Sequence, residues 1–229
     1  MSVTYHRDLI QGSDAWHKAR CGLITGSEVK LLLTPTLKQA NNDKSRAHLW
    51  ELAAQRISNY VEPSYIGDDM LRGHEEEFYA RQLYAEHHAP VEECGFVTND
   101  EWGFTLGCSP DGLVGDDGMI ECKSRRQKYQ IQTIVENWRS GTVPDDYILQ
   151  VQTGLMVTRR KWCDLVSYSG GLPMMPMRVE RDAEICAAIE EACRNAEEKI
   201  AAIVEDFFAA VEERKLIPTE RRVEEEMVF

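Results

Sequence analysis

Apolar and polar positions along the chain follow two different periods, and the switches between them mark out its elements. Ser13 stands at an N-cap position ahead of DAWHKAR, which predicts a short helix to about Arg20. After Cys21-Gly22, Ser27 reads as the cap of a second short helix that ends before Pro35. The polar run TLKQANNDKSR is a loop leading into a helix from about Ser45 to Tyr60, with Leu49, Trp50, Leu52, Ala53 and Ile57 as its apolar stripe. A longer helix from about Asp69 to His87 carries Leu71, Phe78, Leu83 and Tyr84, and Pro90 ends the pattern.

From Val91 the texture changes. VEECGFV, WGFTLGCS and GMIECKS are short extended runs separated by Asn99-Asp100 and by the turn Gly115-Asp116-Asp117-Gly118, the signature of a strand meander. Helices are predicted over 127–138 and 145–157, strands in WCDLVSYS and MPMRVER, and a long helix over 183–214. This order implies an α/β (α+β) fold with a central mixed β-sheet flanked by helices. A single domain, 1–229, is expected, with its core over about 13–180 and a C-terminal helix and tail over about 183–229.

Composition narrows the function. With 39 acidic and 26 basic residues the net charge is −13, which argues against a general polyanion binder, because affinity for nucleic acid comes largely from Lys and Arg displacing counterions. A DNA substrate would require the positive charge to be concentrated in one place. The seven cysteines are scattered without a C-x-x-C pair, so neither a disulfide framework nor a zinc or iron–sulfur site is indicated. They read as reduced, mostly buried thiols. The N-terminus lacks a signal-peptide pattern and no apolar run approaches the roughly 20 residues of a membrane span. A soluble, cytoplasmic protein with no membrane partner is expected.

The candidate chemistry lies in SPDGLVGDDGMIECKSR, Ser109 to Arg125. Residues two apart on a strand share a face, so Glu121 and Lys123 project together while Ile120 and Cys122 point the other way. The turn brings Asp111 back toward Glu121. Two carboxylates held together at neutral pH repel unless a cation sits between them, and hard oxygen ligands suit Mg²⁺ or Mn²⁺. A lysine beside such a site implies a task, holding a water or stabilising charge at a scissile phosphate. A surface hairpin with a solvated Glu–Lys pair would show the same letters. A calcium loop fits less well, because the register D-x-[DN]-x-[DN]-G is missing.

The Pro110-Asp111 … Glu121-Cys122-Lys123 arrangement resembles the active site of the PD-(D/E)xK nuclease superfamily, with its restriction-endonuclease-like core. The ordered blocks AWHKARCGLITGSEV, GHEEEFYAR, CSPDGL, ECK and LQVQTGLMVTRRKWCDLVSY resemble, more narrowly, the phage lambda exonuclease family of viral recombination nucleases. The resemblance implies an Mg²⁺-dependent 5′-to-3′ exonuclease on double-stranded DNA ends. It also implies two metal ions per site with Mn²⁺ as a substitute, a homotrimer ring, a single-strand annealing protein as partner, and a phage or prophage origin.

Residue by residue, the resemblance implies Asp111 and Glu121 as metal-binding carboxylates, the backbone carbonyl of Cys122 as a main-chain ligand, and Lys123 as the catalytic lysine. Glu77 matches a helical glutamate that completes the metal site, with Glu75 and Glu76 leaving the register open by one position. Gln150 matches a glutamine beside the metals, whereas Gln152 also reads as an ordinary helix residue. Arg20, Thr25 and Ser27 match residues that bind the terminal 5′-phosphate. Arg suits bidentate phosphate contact and Ser27 at a helix N-terminus would offer donors to an anion; read alone, both also fit helix capping. Met70 and Leu71 stand where the family places a strand-separating wedge. Arg72 departs from the family, which has an aromatic there, and Asp100 or Glu101 matches another acidic position only loosely. Lys18, Arg20, Arg125, Arg126 and Lys128 are candidates for a basic inner wall. An endonuclease or repair nuclease that needs no end, and an inactive DNA-end adaptor, are the competing readings.

Overall fold

A computed structural model describes residues 2–63, 67–214 and 216–221, and every side chain among them except those of 68–70. The first of its two four-stranded sheets has the order β1-β3-β4-β2, from β1 (Val3–His6), β2 (Ile24–Thr25), β3 (Phe96–Asn99) and β4 (Leu106–Cys108). The second runs in sequence order through β5 (Gly112–Val114), β6 (Gly118–Ser124), β7 (Trp162–Tyr168) and β8 (Met175–Glu180). Both sheets are mixed, since β2 pairs parallel with β4 and β6 parallel with β7 while the other ladders are antiparallel. The chain passes from one sheet to the other through Ser109-Pro110-Asp111.

The helices are α1 (Asp14–Arg20), α2 (Asp43–Ser58), α3 (Asp68–His87), α4 (Gln127–Gln132), α5 (Asp145–Thr158) and α6 (Ala183–Glu213). A parallel pair needs a long crossover, and α4 and α5 supply the one between β6 and β7. Buried from Val151 through Thr158, α5 joins Met119, Leu165, Ile189 and Cys193 in the main core. A smaller cluster, Ala80, Tyr84, Val114, Ile120, Cys122 and Val166, seals α3 against the opposite side of β6. The alternation predicted for GMIECKS is therefore realised: Ile120 and Cys122 anchor the strand from below. Each large apolar side chain buried this way contributes about 1.5–3 kcal/mol relative to exposure.

The hairpin joining β5 to β6 is fixed at its tip. Gly115 adopts φ +52°, in the left-handed region, and a Cβ on Gly118 would stand 2.1 Å from the Trp162 ring. Buried Arg160, at the end of α5, donates from Nη1 to the carbonyls of Val114, Gly115 and Gly118 at 3.3, 2.7 and 2.5 Å.

Some local expectations are corrected. Ser27 caps nothing: the segment after it is a single 3-10 turn, Val29–Leu31, whose N-cap Glu28 makes no side-chain cap bond. The helix expected from Ser45 begins earlier, because Asn42 is its cap and accepts from the Ser45 amide at 3.0 Å. Trp50, placed on the apolar stripe of that helix, is 63% exposed. β1 and β2 are too short to show a local period and exist through their partners across the sheet.

Candidate active site

Three elements meet at the start of the second sheet. The passage into β5 supplies Asp111, β6 supplies Glu121, Cys122 and Lys123, and α5 supplies Gln150. Asp111 Oδ2 accepts from the Cys122 amide at 2.6 Å, which pins the carboxylate across the hairpin. Lys123 Nζ lies 2.7 Å from Glu121 Oε1, and Gln150 Nε2 donates to the same oxygen. From α3, Glu77 couples electrostatically to Lys123, Glu121 and Asp111. Of its neighbours, Glu76 accepts from Ser124 Oγ and stands 4.0 Å from Arg72, while Glu75 is exposed.

Burial dominates the electrostatics. Glu121 is 4% exposed, and desolvation pushes its pKa up to about 7 against the pull of Lys123. Desolvation raises Asp111 and Glu77 as well, again opposed by Lys123 and reinforced by mutual repulsion. The lysine moves upward too: its carboxylate neighbours outweigh its own burial, so it stays charged. Three acids and one ammonium leave a net negative pocket, which a hard cation would relieve. Among the described residues no three His, Cys, Asp or Glu side chains are placed so that together they could hold a metal ion. The Asp111, Glu121 and Glu77 oxygens are hard donors of the chemical kind that Mg²⁺ takes beside water.

Beside this group lies a second, cationic one. Arg20 stacks on Trp16 with its guanidinium carbon 4.3 Å from the ring centroid. Its Nη2 donates to Thr25 Oγ1 at 2.9 Å and its Nη1 to Ser109 Oγ at 3.4 Å. Trp16 Nε1 also donates to Ser109 Oγ, at 2.9 Å. Thr25 donates onward to Glu28, and exposed Ser27 has its Oγ 3.4 Å from that of Thr25. Arg20, Thr25 and Ser27 are thus brought together, by direct contact and not by a helix N-terminus. The sequence reading missed Ser109, which sits two residues before Asp111 and joins the cationic group to the acidic one. Its Ser-Pro-Asp setting reads as ordinary turn chemistry, so only proximity to Asp111 could have flagged it.

The remaining candidates separate. Gln152 serves structure, donating to the Glu180 carbonyl and accepting from the Asp182 amide. Asp100 bonds to the Ser2 amide and Glu101 pairs with Arg159. Leu71 is 53% exposed on α3, and the Met70 side chain lies outside the described residues. Lys18, Arg126 and Lys128 are exposed, Arg125 half-buried.

A mixed α/β core that gathers aspartate, glutamate and lysine on and beside strand β6, next to an arginine pocket, defines a nuclease of the PD-(D/E)xK kind. The family model for the YqaJ-like viral recombinase domain matches residues 15–161, a span holding every residue of both groups. The chain belongs to that family, the phage lambda exonuclease family. Solved structures agree. An alkaline exonuclease from Laribacter hongkongensis is 32% identical, with 88% of this chain and 99% of that one covered at a TM-score of 0.76. The same exonuclease in complex with dAMP superposes with a TM-score of 0.77 at the same identity and coverage. A phage-related exonuclease from Haemophilus somnus, 12% identical over 81% of this chain and 96% of that one, shares the fold at a TM-score of 0.57. No curated protein matches.

Proposed function

We infer that the protein is an Mg²⁺-dependent exonuclease that degrades the 5′-ended strand of linear double-stranded DNA to mononucleotides, leaving a 3′ overhang for recombination by strand annealing. The observation that carries this reading is the junction at Ser109: an anion pocket adjoins the carboxylate cluster through two residues of chain. A pocket for a terminal phosphate so close to the cleavage groups measures the substrate from its end. An endonuclease needs no such ruler.

The side chains divide the work. Arg20, with the Thr25 and Ser109 hydroxyls, holds the terminal phosphate, a group with more charge than an internal diester. Asp111, Glu121, Glu77 and the Cys122 carbonyl are the ligands for Mg²⁺, which when bound supplies positive charge to the phosphate and acidifies water, with Mn²⁺ the natural substitute and two ions the expected number. Gln150 fixes the orientation of Glu121. Lys123, kept cationic by its neighbours, orients the attacking water and offsets charge at the scissile phosphate.

The homotrimer ring and the annealing-protein partner rest on the family resemblance. A ring retains DNA by topology, so a subunit of net charge −13 needs only a modest basic inner wall. No helix among the described residues is long and apolar enough to cross a membrane.

Rates on 5′-phosphorylated, 5′-hydroxyl and closed circular duplexes, with products resolved by size, test the reading. The expectation is fast release of mononucleotides from the phosphorylated end, slow release from the hydroxyl end and none from the circle. Cutting of circular DNA would establish an endonuclease, and no Mg²⁺-dependent cleavage of any substrate would establish an adaptor.

A further inference from the structure

One side of α3 carries both Glu77 and Tyr84. Seven residues apart on a helix, they share a face and stand about two turns, or ~10 Å, from each other along the axis. Ala80 lies between them and is fully buried. Tyr84 is also buried, and its Oη donates to Asp164 Oδ2 at 2.6 Å. Burial, and next the bond to Asp164, raise the pKa of this hydroxyl, which keeps it a donor. The acceptor is fixed by the sheet. Asp164 of β7 stands opposite Ile120 of β6 on one side and Arg178 of β8 on the other. Arg178 donates from Nη2 to Asp164 Oδ2 at 3.0 Å and from Nε to Oδ1, with its guanidinium 3.5 Å from the centroid of the Trp162 ring.

We propose that Tyr84 and Asp164 are positioning residues for the reaction: their buried hydrogen bond sets the register of α3 on the second sheet and so holds Glu77 beside Asp111. This rests on the reading above in which Glu77 is a metal ligand. The surroundings of the bond are apolar, from Ala80, Val114, Ile120, Cys122 and Val166, and apolar attraction is non-directional. It presses the helix onto the sheet, while the hydroxyl names one position along it. Glu77 and Asp111 line one cleft of about 330 Å³. A slip of α3 by a single residue would carry Glu77 about 1.5 Å along the axis and swing it by about 100°, away from that cleft. Two further polar contacts of α3 constrain it less. Arg81 Nη1 donates to the Asp111 carbonyl at a long 3.3 Å, and Glu76 accepts from Ser124 Oγ where both side chains are half-buried.

The test uses the full chain and Mn²⁺ alone, its binding read from the electron paramagnetic resonance signal of the free ion well below the melting temperature of each variant. Tyr84→Phe keeps the ring and removes only the hydroxyl. It should weaken Mn²⁺ binding at least about tenfold, the scale for losing a partner that orients a ligand. Turnover should fall at low Mg²⁺ and recover as Mg²⁺ is raised, a split that a merely destabilised protein would not show. Glu77→Gln should weaken binding as well, and Tyr84→Phe added to it should cost no more than about twofold further, because the tyrosine acts through the glutamate. Asp164→Asn, whose amide oxygen accepts the same bond, should bind Mn²⁺ within about threefold of the parent. Parent-like binding by Tyr84→Phe, losses that add in the double variant, or a tenfold loss in Asp164→Asn each overturn the proposal. Weak binding by Glu77→Gln beside parent-like binding by Tyr84→Phe removes the positioning role alone, whereas parent-like binding by Glu77→Gln removes the ligand assignment and the proposal with it.

Discussion

Lys123 reaches back along its own strand to Glu121, Nζ to Oε1 at 2.7 Å, in a pocket where both side chains are largely withdrawn from solvent. A buried ammonium in contact with one carboxylate and coupled to two more serves chemistry better than stability, since a buried ion pair is weak evidence for a stabilising role. Lys123→Ala should leave DNA binding in Ca²⁺ nearly intact and lower turnover at least about a hundredfold, the usual scale for a positioned acid–base or electrostatic group. Single-turnover kinetics beside a binding isotherm check this. Near-normal turnover would remove the lysine from the mechanism.

The buried carboxylates make stability depend on pH in a defined direction. Glu121, raised to about 7 from an ordinary 4.5, binds more protons folded than unfolded between those values, and Asp111 and Glu77 shift the same way. Their contribution is present below the unfolded pKa and is lost as pH rises through the folded one. The metal-free protein should therefore lose melting temperature between about pH 5 and pH 8. Mg²⁺ or Ca²⁺ should restore more of it at pH 8 than at pH 6, because the ion competes with protons for the same oxygens. Calorimetric melts with and without the ion measure both effects. Asp111→Asn and Glu121→Gln should each flatten the profile and abolish Mg²⁺-supported cleavage; a profile unchanged in both would break the metal assignment.

The assignment of Arg20 to the terminal phosphate predicts how end preference responds to its replacement. Arg20→Ala should slow degradation of 5′-phosphorylated duplex while barely changing the slow 5′-hydroxyl substrate. Arg20→Lys should rescue only in part, keeping charge but losing the planar fork. The ratio of the two rates is the quantity to measure, with a melting curve alongside. Equal losses on both ends together with a lower melting temperature would make the Trp16–Arg20 stack purely structural.

A ring predicts a mass in solution of three chains. Light scattering at micromolar concentration should report the trimer, and monomers alone would sink the ring and with it the topological account of how so acidic a subunit stays on DNA.

How much of this was legible in sequence depended on the distance over which each feature is determined. The Glu121–Lys123 face of β6 could be read because alternation is a property of neighbouring residues, and the α5 helix likewise announced Gln150. The parallel register that sets Glu121 opposite Leu165 and Lys123 opposite Ser167 had no local signal. Ser27 was expected to act through a helix N-terminus that a single 3-10 turn does not provide; its hydroxyl nevertheless lies beside Thr25. Trp50 falls on the apolar stripe of its helix yet is exposed, because periodicity marks a stripe without stating how much of its width the neighbouring elements cover. Ser109 gained its interest only when folding brought Arg20 and Trp16 to it.

The bond from the Cys122 amide to Asp111 has a practical corollary. One proton belongs at once to the hairpin and to the site, so whatever pulls the Asp111 oxygens away from that amide must change its environment. The molecule therefore carries an intrinsic gauge of occupancy. The chemical shift of a single backbone N–H can follow filling of the carboxylate cluster in real time, without a label at the centre and without any DNA being cut.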